Sequence, residues 1–210
     1  MASDTIGFLE AVLDGPAHLV GWSDGGVGLL VAMARPDLVR KLVAIGANFD
    51  TSGAVPEVAA GFAATPADSD DVATLRGPYE AVSPDGPAHW PVVFAKFMEM
   101  FSTQPAIPVD DLARISAPTL VVAGDDDLIT LEHTVALFRA VPNSGLAVVP
   151  GTSHMLTMEK PGLLNRSSST SSTTSPRPRS RPSDGRRPTD THVARWAGAR
   201  CRQAGRSRGD

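Results

Sequence analysis

Four short, nearly unbroken apolar runs restrict this chain more than any other feature. They cover residues 17–22, 41–46, 118–124 and 146–149. Such runs lack the polar alternation of a half-exposed sheet, so they suit strands buried on both faces. Strands separated by helices in this way pair in parallel. The predicted class is therefore α/β, a parallel sheet with flanking helices. Asp4 can cap a first helix with Ile6, Phe8, Leu9, Val12 and Leu13 on its apolar side, closed by Gly15-Pro16. Residues 25–34 and 131–141 read as further helices. Residues 50–115 interrupt the rhythm. They are rich in Pro, Ala, Asp and Gly, then helical from Val92 to Phe101. That is too long for a loop, and it predicts a helical insertion.

Composition divides the chain in two. Residues 1–165 hold 8 Lys+Arg against 20 Asp+Glu, a charge of −12, whereas residues 166–210 hold 11 Arg against 3 Asp, a charge of +8; together they give the net −4. After Leu164 there is no Ile, Leu, Met or Phe, and only Val193 and Trp196 stand out among Arg, Ser, Thr, Pro and Gly. A segment so poor in apolar surface cannot offset its ordering entropy, so 166–210 is expected to be a disordered tail. These are also the residues that GC-rich DNA encodes out of frame, which points to a frameshift product; resequencing the coding DNA would test it. An Arg-rich tail could contact phosphates, but charge runs are more often simply solvated, and no nucleic-acid partner is expected. The body, with 42% hydrophobic residues over the whole chain, can build a core of moderate size. The single Cys201 excludes an intrachain disulfide and a cysteine-built metal site. No run of about 18 apolar residues is present to span a membrane, and the first residues do not read as a secretory signal. The expected location is cytoplasmic, with no membrane partner.

Chemistry concentrates at three predicted strand ends. Gly21-Trp22-Ser23-Asp24-Gly25-Gly26 lies between a strand and a helix. The pattern Gly-x-Ser-x-Gly makes a tight turn that lifts the Ser23 hydroxyl out of the sheet, at a helix start where developing negative charge is favoured. The backbone N–H of Asp24 is then a natural oxyanion donor. The plainer alternative is a glycine-rich helix start with a capping serine. The third run ends in Asp125-Asp126-Asp127, of which one carboxylate can hold an imidazole while the others stay solvated or cap a helix. The fourth run leads to Pro150-Gly151-Thr152-Ser153-His154. His154 differs from His18, His89, His133 and His192, read as surface histidines, through order and spacing. Ser, then acid, then His is the chain order of one known catalytic arrangement. Asp127 precedes His154 by 27 residues, room for a loop, a helix and a strand, so both end on one edge of the sheet.

With those stretches in view, residues 5–165 resemble the C-terminal two-thirds of an α/β-hydrolase-fold enzyme of the serine-nucleophile branch. The resemblance implies Ser23 as nucleophile, His154 as general base and then acid, and, three residues after the strand-end glycine, Asp127 as the orienting acid. It implies an oxyanion contact from Asp24 and a helical cap at about residues 50–115, with Trp22 and Trp90 lining the pocket unless they serve only in packing. The chemistry it implies is acyl transfer to water from a small ester-like substrate (a carboxylic ester, lactone or thioester), without metal or organic cofactor. The sequence also departs from the family. Strands that open a complete member, and the loop carrying the second oxyanion donor, have no counterpart before residue 4. The strand at 17–22 should then be an exposed edge. Two alternatives to an enzyme follow: a catalytically incompetent truncated fragment, and an interaction module that pairs its open edge with another chain.

Overall fold

The helical and apolar periods resolve into a parallel sheet with helices packed against it. The computed structural model describes residues 1–165. The tail at 166–210, with its expected disorder and frameshift origin, lies outside the described residues, as do His192 and Cys201. In chain order the elements are α1 (Ala2–Val12), β1 (Ala17–Trp22), α2 (Val27–Ala34), β2 (Val39–Ile45), α3 (Pro56–Ala64), α4 (Ala73–Val82), α5 (Trp90–Thr103), β3 (Thr119–Asp126), α6 (Leu131–Ala140), β4 (Ser144–Ser153) and α7 (Leu156–Glu159). The four strands lie in the order β1-β2-β3-β4, every neighbouring pair parallel. Because the strands run the same way, the loops after β1, β2, β3 and β4 all leave from one rim.

Side-chain alternation divides the apolar residues between two faces. On the first, Leu42 and Ala44 of β2 and Val121 of β3 meet Leu29, Val31 and Ala32 of α2 and Leu137 of α6. Leu29, Val31, Ala32 and Leu137 are wholly buried. On the second, Val43, Ile45, Val122 and Val149 are covered by Leu156 of α7 and by Leu164. The structure differs here from the expectation of cover on both faces. Val20 pairs in register with Val43 and so shares the second face, yet it is 64% exposed. Among the described residues, cover on this side reaches Trp22 at the end of β1 and stops short of Val20.

Element boundaries shift for local reasons. The helix expected from Gly25 begins as a 3-10 turn over Ser23–Gly26, and α2 proper runs from Val27. Strand β4 extends past the predicted 146–149 through Pro150 to Ser153. Proline has no N–H for a ladder, and an edge strand tolerates it because one side of its backbone needs no partner. The insertion between β2 and β3 forms α3, α4 and α5. It builds a small core of its own from Val72, Trp90 and Phe94, with Tyr79 and Phe97 packed alongside.

The uncovered edge has a measurable consequence. A charge at position 20 should blunt strand-to-strand association without disturbing the core. Val20→Lys is expected to raise the concentration at which light scattering first detects aggregates, while the urea midpoint stays put; earlier aggregation in the variant would contradict this account of β1.

Candidate active site

The turn after β1 is set by a near-contact between backbones. A Cβ built on Gly21 would lie 2.0 Å from the carbonyl oxygen of Gly25, so only glycine fits there. Gly25 itself has open space where its Cβ would be; its carbonyl, not its missing side chain, is what crowds Gly21. Between them Ser23 takes φ +55°, the one non-glycine residue with positive φ among the described residues. Holding an ordinary residue in that region costs about 1–3 kcal/mol and is characteristic of functional turns. Asp24 follows as the second residue of the 3-10 turn, where backbone N–H groups lack partners inside the helix.

Ser23, His154 and Asp127 meet in one hydrogen-bonded line. Ser23 Oγ is 2.9 Å from Nε2 of His154, and His154 Nδ1 is 2.7 Å from Oδ1 of Asp127. The Asp127 side chain is closed off from solvent, and that of His154 keeps 13% exposure. The Asp127 carboxylate also accepts from the backbone N–H of Ile129 at 3.2 Å and of Gly124 at 3.3 Å. Burial pushes its pKa up, but the His154 hydrogen bond and these two amides outweigh burial and hold it below the ordinary carboxylate value. Asp127 is therefore a carboxylate across the neutral range. Asp24, exposed beside the line, is moved the other way: partial desolvation of its carboxyl raises its pKa, opposed by the nearby His154.

The other acids of the cluster separate by role. Asp125 accepts from the N–H of Thr152 at 3.0 Å, and the amides of Gly151 and Thr152 lower its pKa. It fastens the end of β3 to the last residues of β4, just ahead of His154, a task beyond the solvated role expected of it. Asp126 is exposed. The same stretch of β4 is held by Glu159, which accepts from the N–H of Ser153 at 2.9 Å and its hydroxyl at 2.7 Å, and by Lys160 donating to the Pro150 carbonyl.

The two tryptophans expected at a pocket sit in different surroundings. Trp90 is 3% exposed inside the insertion's own core, and its indole N–H donates to the Ala67 carbonyl at 2.6 Å. Ring and N–H are both taken up by packing, so the pocket expectation for Trp90 is withdrawn. Trp22 is half-buried against the second face of the sheet, and its indole N–H donates to the His154 carbonyl at 2.8 Å.

Two further residues shape the site, and neither stood out in the sequence. Gly46, just after β2, has φ +54°, and a Cβ there would come within 3.0 Å of the His154 ring and 3.2 Å of Asp127 Oδ2. Its signal was a glycine closing an apolar run, the same position held by Gly124. His133, expected on the surface, is 7% exposed. Its Nε2 accepts from the N–H of Phe49 at 3.1 Å, and its ring stacks on Phe49 with centroids 3.8 Å apart. It thereby anchors the loop after β2 to α6. Burial lowers its pKa, with Asp50 opposing. Among the described residues no group of three or more His, Cys, Asp or Glu could hold a metal ion, and no helix is long and apolar enough to cross a membrane.

Fold and strand-end geometry together define a parallel α/β protein whose polar chemistry sits on the loops beyond the carboxyl ends of its strands. Residues 2–166 match the family model described as "Alpha/beta hydrolase family", and the chain belongs to that family. Among curated proteins it is similar to "Serine hydrolase BPHL" of Mus musculus, 27% identical over 172 residues that make up 79% of this chain and 57% of the mouse protein. The Homo sapiens protein of that name is 26% identical over 162 residues, 74% of this chain and 54% of its own. The chain thus spans little more than half the length of the curated relatives it matches. Among solved structures, the meta-cleavage product hydrolase CumD of Pseudomonas fluorescens IP01 shares the fold with TM-score 0.65 at 22% identity, over 81% of this chain and 69% of that one.

The site yields two predictions. Gly46→Ala should destabilise the protein by about 1–2 kcal/mol through the left-handed backbone alone. It should also displace the His154 ring, seen as a change in the ring's NMR shifts; an unmoved ring would contradict the packing described. For His133 the sign follows from its depressed pKa. The unfolded chain binds a proton near pH ~6.5, the folded chain only at lower pH, so stability is whole above that value and falls as pH drops below it. His133→Gln keeps an acceptor for the Phe49 N–H but does not titrate. Its urea midpoint should therefore decline less between pH 7 and 5 than that of the wild type, and equal declines would refute the assignment.

Proposed function

We propose that the chain hydrolyses an ester-like bond of a small molecule (a carboxylic ester, lactone or thioester) through Ser23, His154 and Asp127. The observation that carries the proposal is the continuous hydrogen-bonded line from Ser23 Oγ through both imidazole nitrogens to a buried, ionised carboxylate. A neutral imidazole that donates at Nδ1 accepts at Nε2, which is the atom facing the serine hydroxyl.

In this scheme Ser23 Oγ attacks the carbonyl carbon while His154 Nε2 takes its proton. Asp127, held below the ordinary carboxylate pKa, stays charged and stabilises the imidazolium. The tetrahedral oxyanion forms at the helix start, within reach of the Asp24 N–H. As it collapses, the bond to the leaving group breaks and His154 returns the proton to that group. Water, deprotonated by His154, then attacks acyl-Ser23, releasing the acid and restoring the hydroxyl. Side chains and water supply every proton and electron pair. The insertion begins beside this rim. Val55 donates its N–H to the carbonyl of Leu128, next to Asp127, and Ala54 bridges Ile129. In the proposed enzyme it forms the wall of the substrate pocket.

A second reading, an interaction module, draws on the edge of β1 that has no neighbour among the described residues and on the 64% exposure of Val20. One experiment separates the two. Under the hydrolase proposal a fluorophosphonate probe labels Ser23, and p-nitrophenyl esters are turned over. Ser23→Ala abolishes both, and Asp127→Asn lowers kcat about 10⁴-fold. A folded wild-type chain that neither labels nor turns over esters would overturn the proposal and favour a catalytically incompetent fragment; saturable binding of a partner through β1 would favour the interaction module.

A further inference from the structure

We propose that Trp22 is a positioning residue for His154, holding the histidine's main chain while its sequence neighbour Ser23 engages the ring. The inference rests on the hydrolase reading above. It starts from the two contacts that the dipeptide Trp22-Ser23 makes with one partner. Trp22 Nε1–H donates to the His154 carbonyl oxygen at 2.8 Å, and Ser23 Oγ lies 2.9 Å from His154 Nε2. His154 is thus gripped at backbone and side chain by adjacent residues.

The indole is suited to this by its own fixation. Trp22 is the last residue of β1, in register with Ile45, and its ring packs against the cluster of Val43, Ile45, Val122 and Val149. Its polar end therefore projects from a rigid sheet rather than from a loop. The centroids of the indole and imidazole rings are 5.6 Å apart at an interplanar angle of 37°, close enough for the indole to limit tilting of the imidazole.

The other ties here hold the residues on either side of the histidine: Met155, just after it, donates its N–H to Ser153 Oγ at 3.1 Å and accepts from the N–H groups of Met158 and Glu159. Asp125 holds Thr152, and Glu159 holds Ser153. His154 follows those residues in the turn that leads into α7. A shift of its main chain would stretch the contacts at both ring nitrogens together. Misplacing a reacting group by about 1 Å can cost about 100-fold in rate. Trp22 touches no reacting atom in this account; it acts through His154.

The test replaces Trp22 by Phe, which keeps an apolar ring and removes the donor. A second variant carries benzothienylalanine at position 22, which keeps the two-ring shape with sulfur in place of N–H, and so remains informative if Trp22→Phe folds poorly. Expected for both is a fall in kcat of about 10- to 100-fold on p-nitrophenyl esters with KM little changed. The melting temperature should fall by no more than about 4 °C. The His154 Nδ1–H proton resonance should move or broaden, measured in the Ser23→Ala background as well. A lower melting temperature with unchanged kcat and unchanged resonance would overturn the inference, since it would mean that Trp22 serves packing alone. If the wild type turns over no ester, the hydrolase reading falls separately, and the His154 resonance still decides whether Trp22 holds the ring.

Discussion

The approach of Gly21 to the Gly25 carbonyl is the constraint on which the site depends. With no room for a single methyl group between those backbones, the chain leaves β1 and enters the 3-10 turn with no intervening loop. Ser23 is left at the apex in a conformation that an L-residue adopts only under compulsion. A looser connection would relieve that strain and let the hydroxyl drift along the sheet. Parallel pairing supplies the other half of the geometry, because it brings the far ends of β3 and β4 to the same rim.

Electrostatics at the rim follow from how three adjacent aspartates are shared out. One is buried and paired with an imidazole, one clasps a neighbouring backbone, and one faces water. The arrangement avoids the mutual repulsion of three carboxylates in one cavity. Two backbone amides and a ring nitrogen converge on Asp127, so its charge persists despite burial. Neighbouring acids thus take separate places, Asp125 tying down the end of β4 that leads to His154 and Asp127 bonding to His154 itself.

The sheet, the order of helices and strands, and the trio Ser23, Asp127 and His154 could be read from the sequence because each leaves a local signature. Apolar runs mark strands, Gly-x-Ser-x-Gly marks the turn, and chain order links the three polar residues. Trp22 and Trp90 carried no such signature. Aromatic residues near a motif look alike in sequence, whether they line a pocket, fill a core or donate to a distant carbonyl. His133 was misread for a related reason. Its burial depends on Phe49, 84 residues away, and no periodicity records a partner so remote. Gly46 was visible as a glycine, but the side chains that demand it arrive from two other strands.

Separation along the chain carries one more consequence. The serine and the imidazole are 131 positions apart, and the carboxylate is 27 from the imidazole. Contacts of such span close only after intervening loops have been ordered, which is the slow, entropically costly part of folding a parallel sheet. No early collapsed species with only neighbouring elements in place can hold this trio together. The chemical competence proposed for the rim would therefore arise late, as a property of the completed topology rather than of any segment within it.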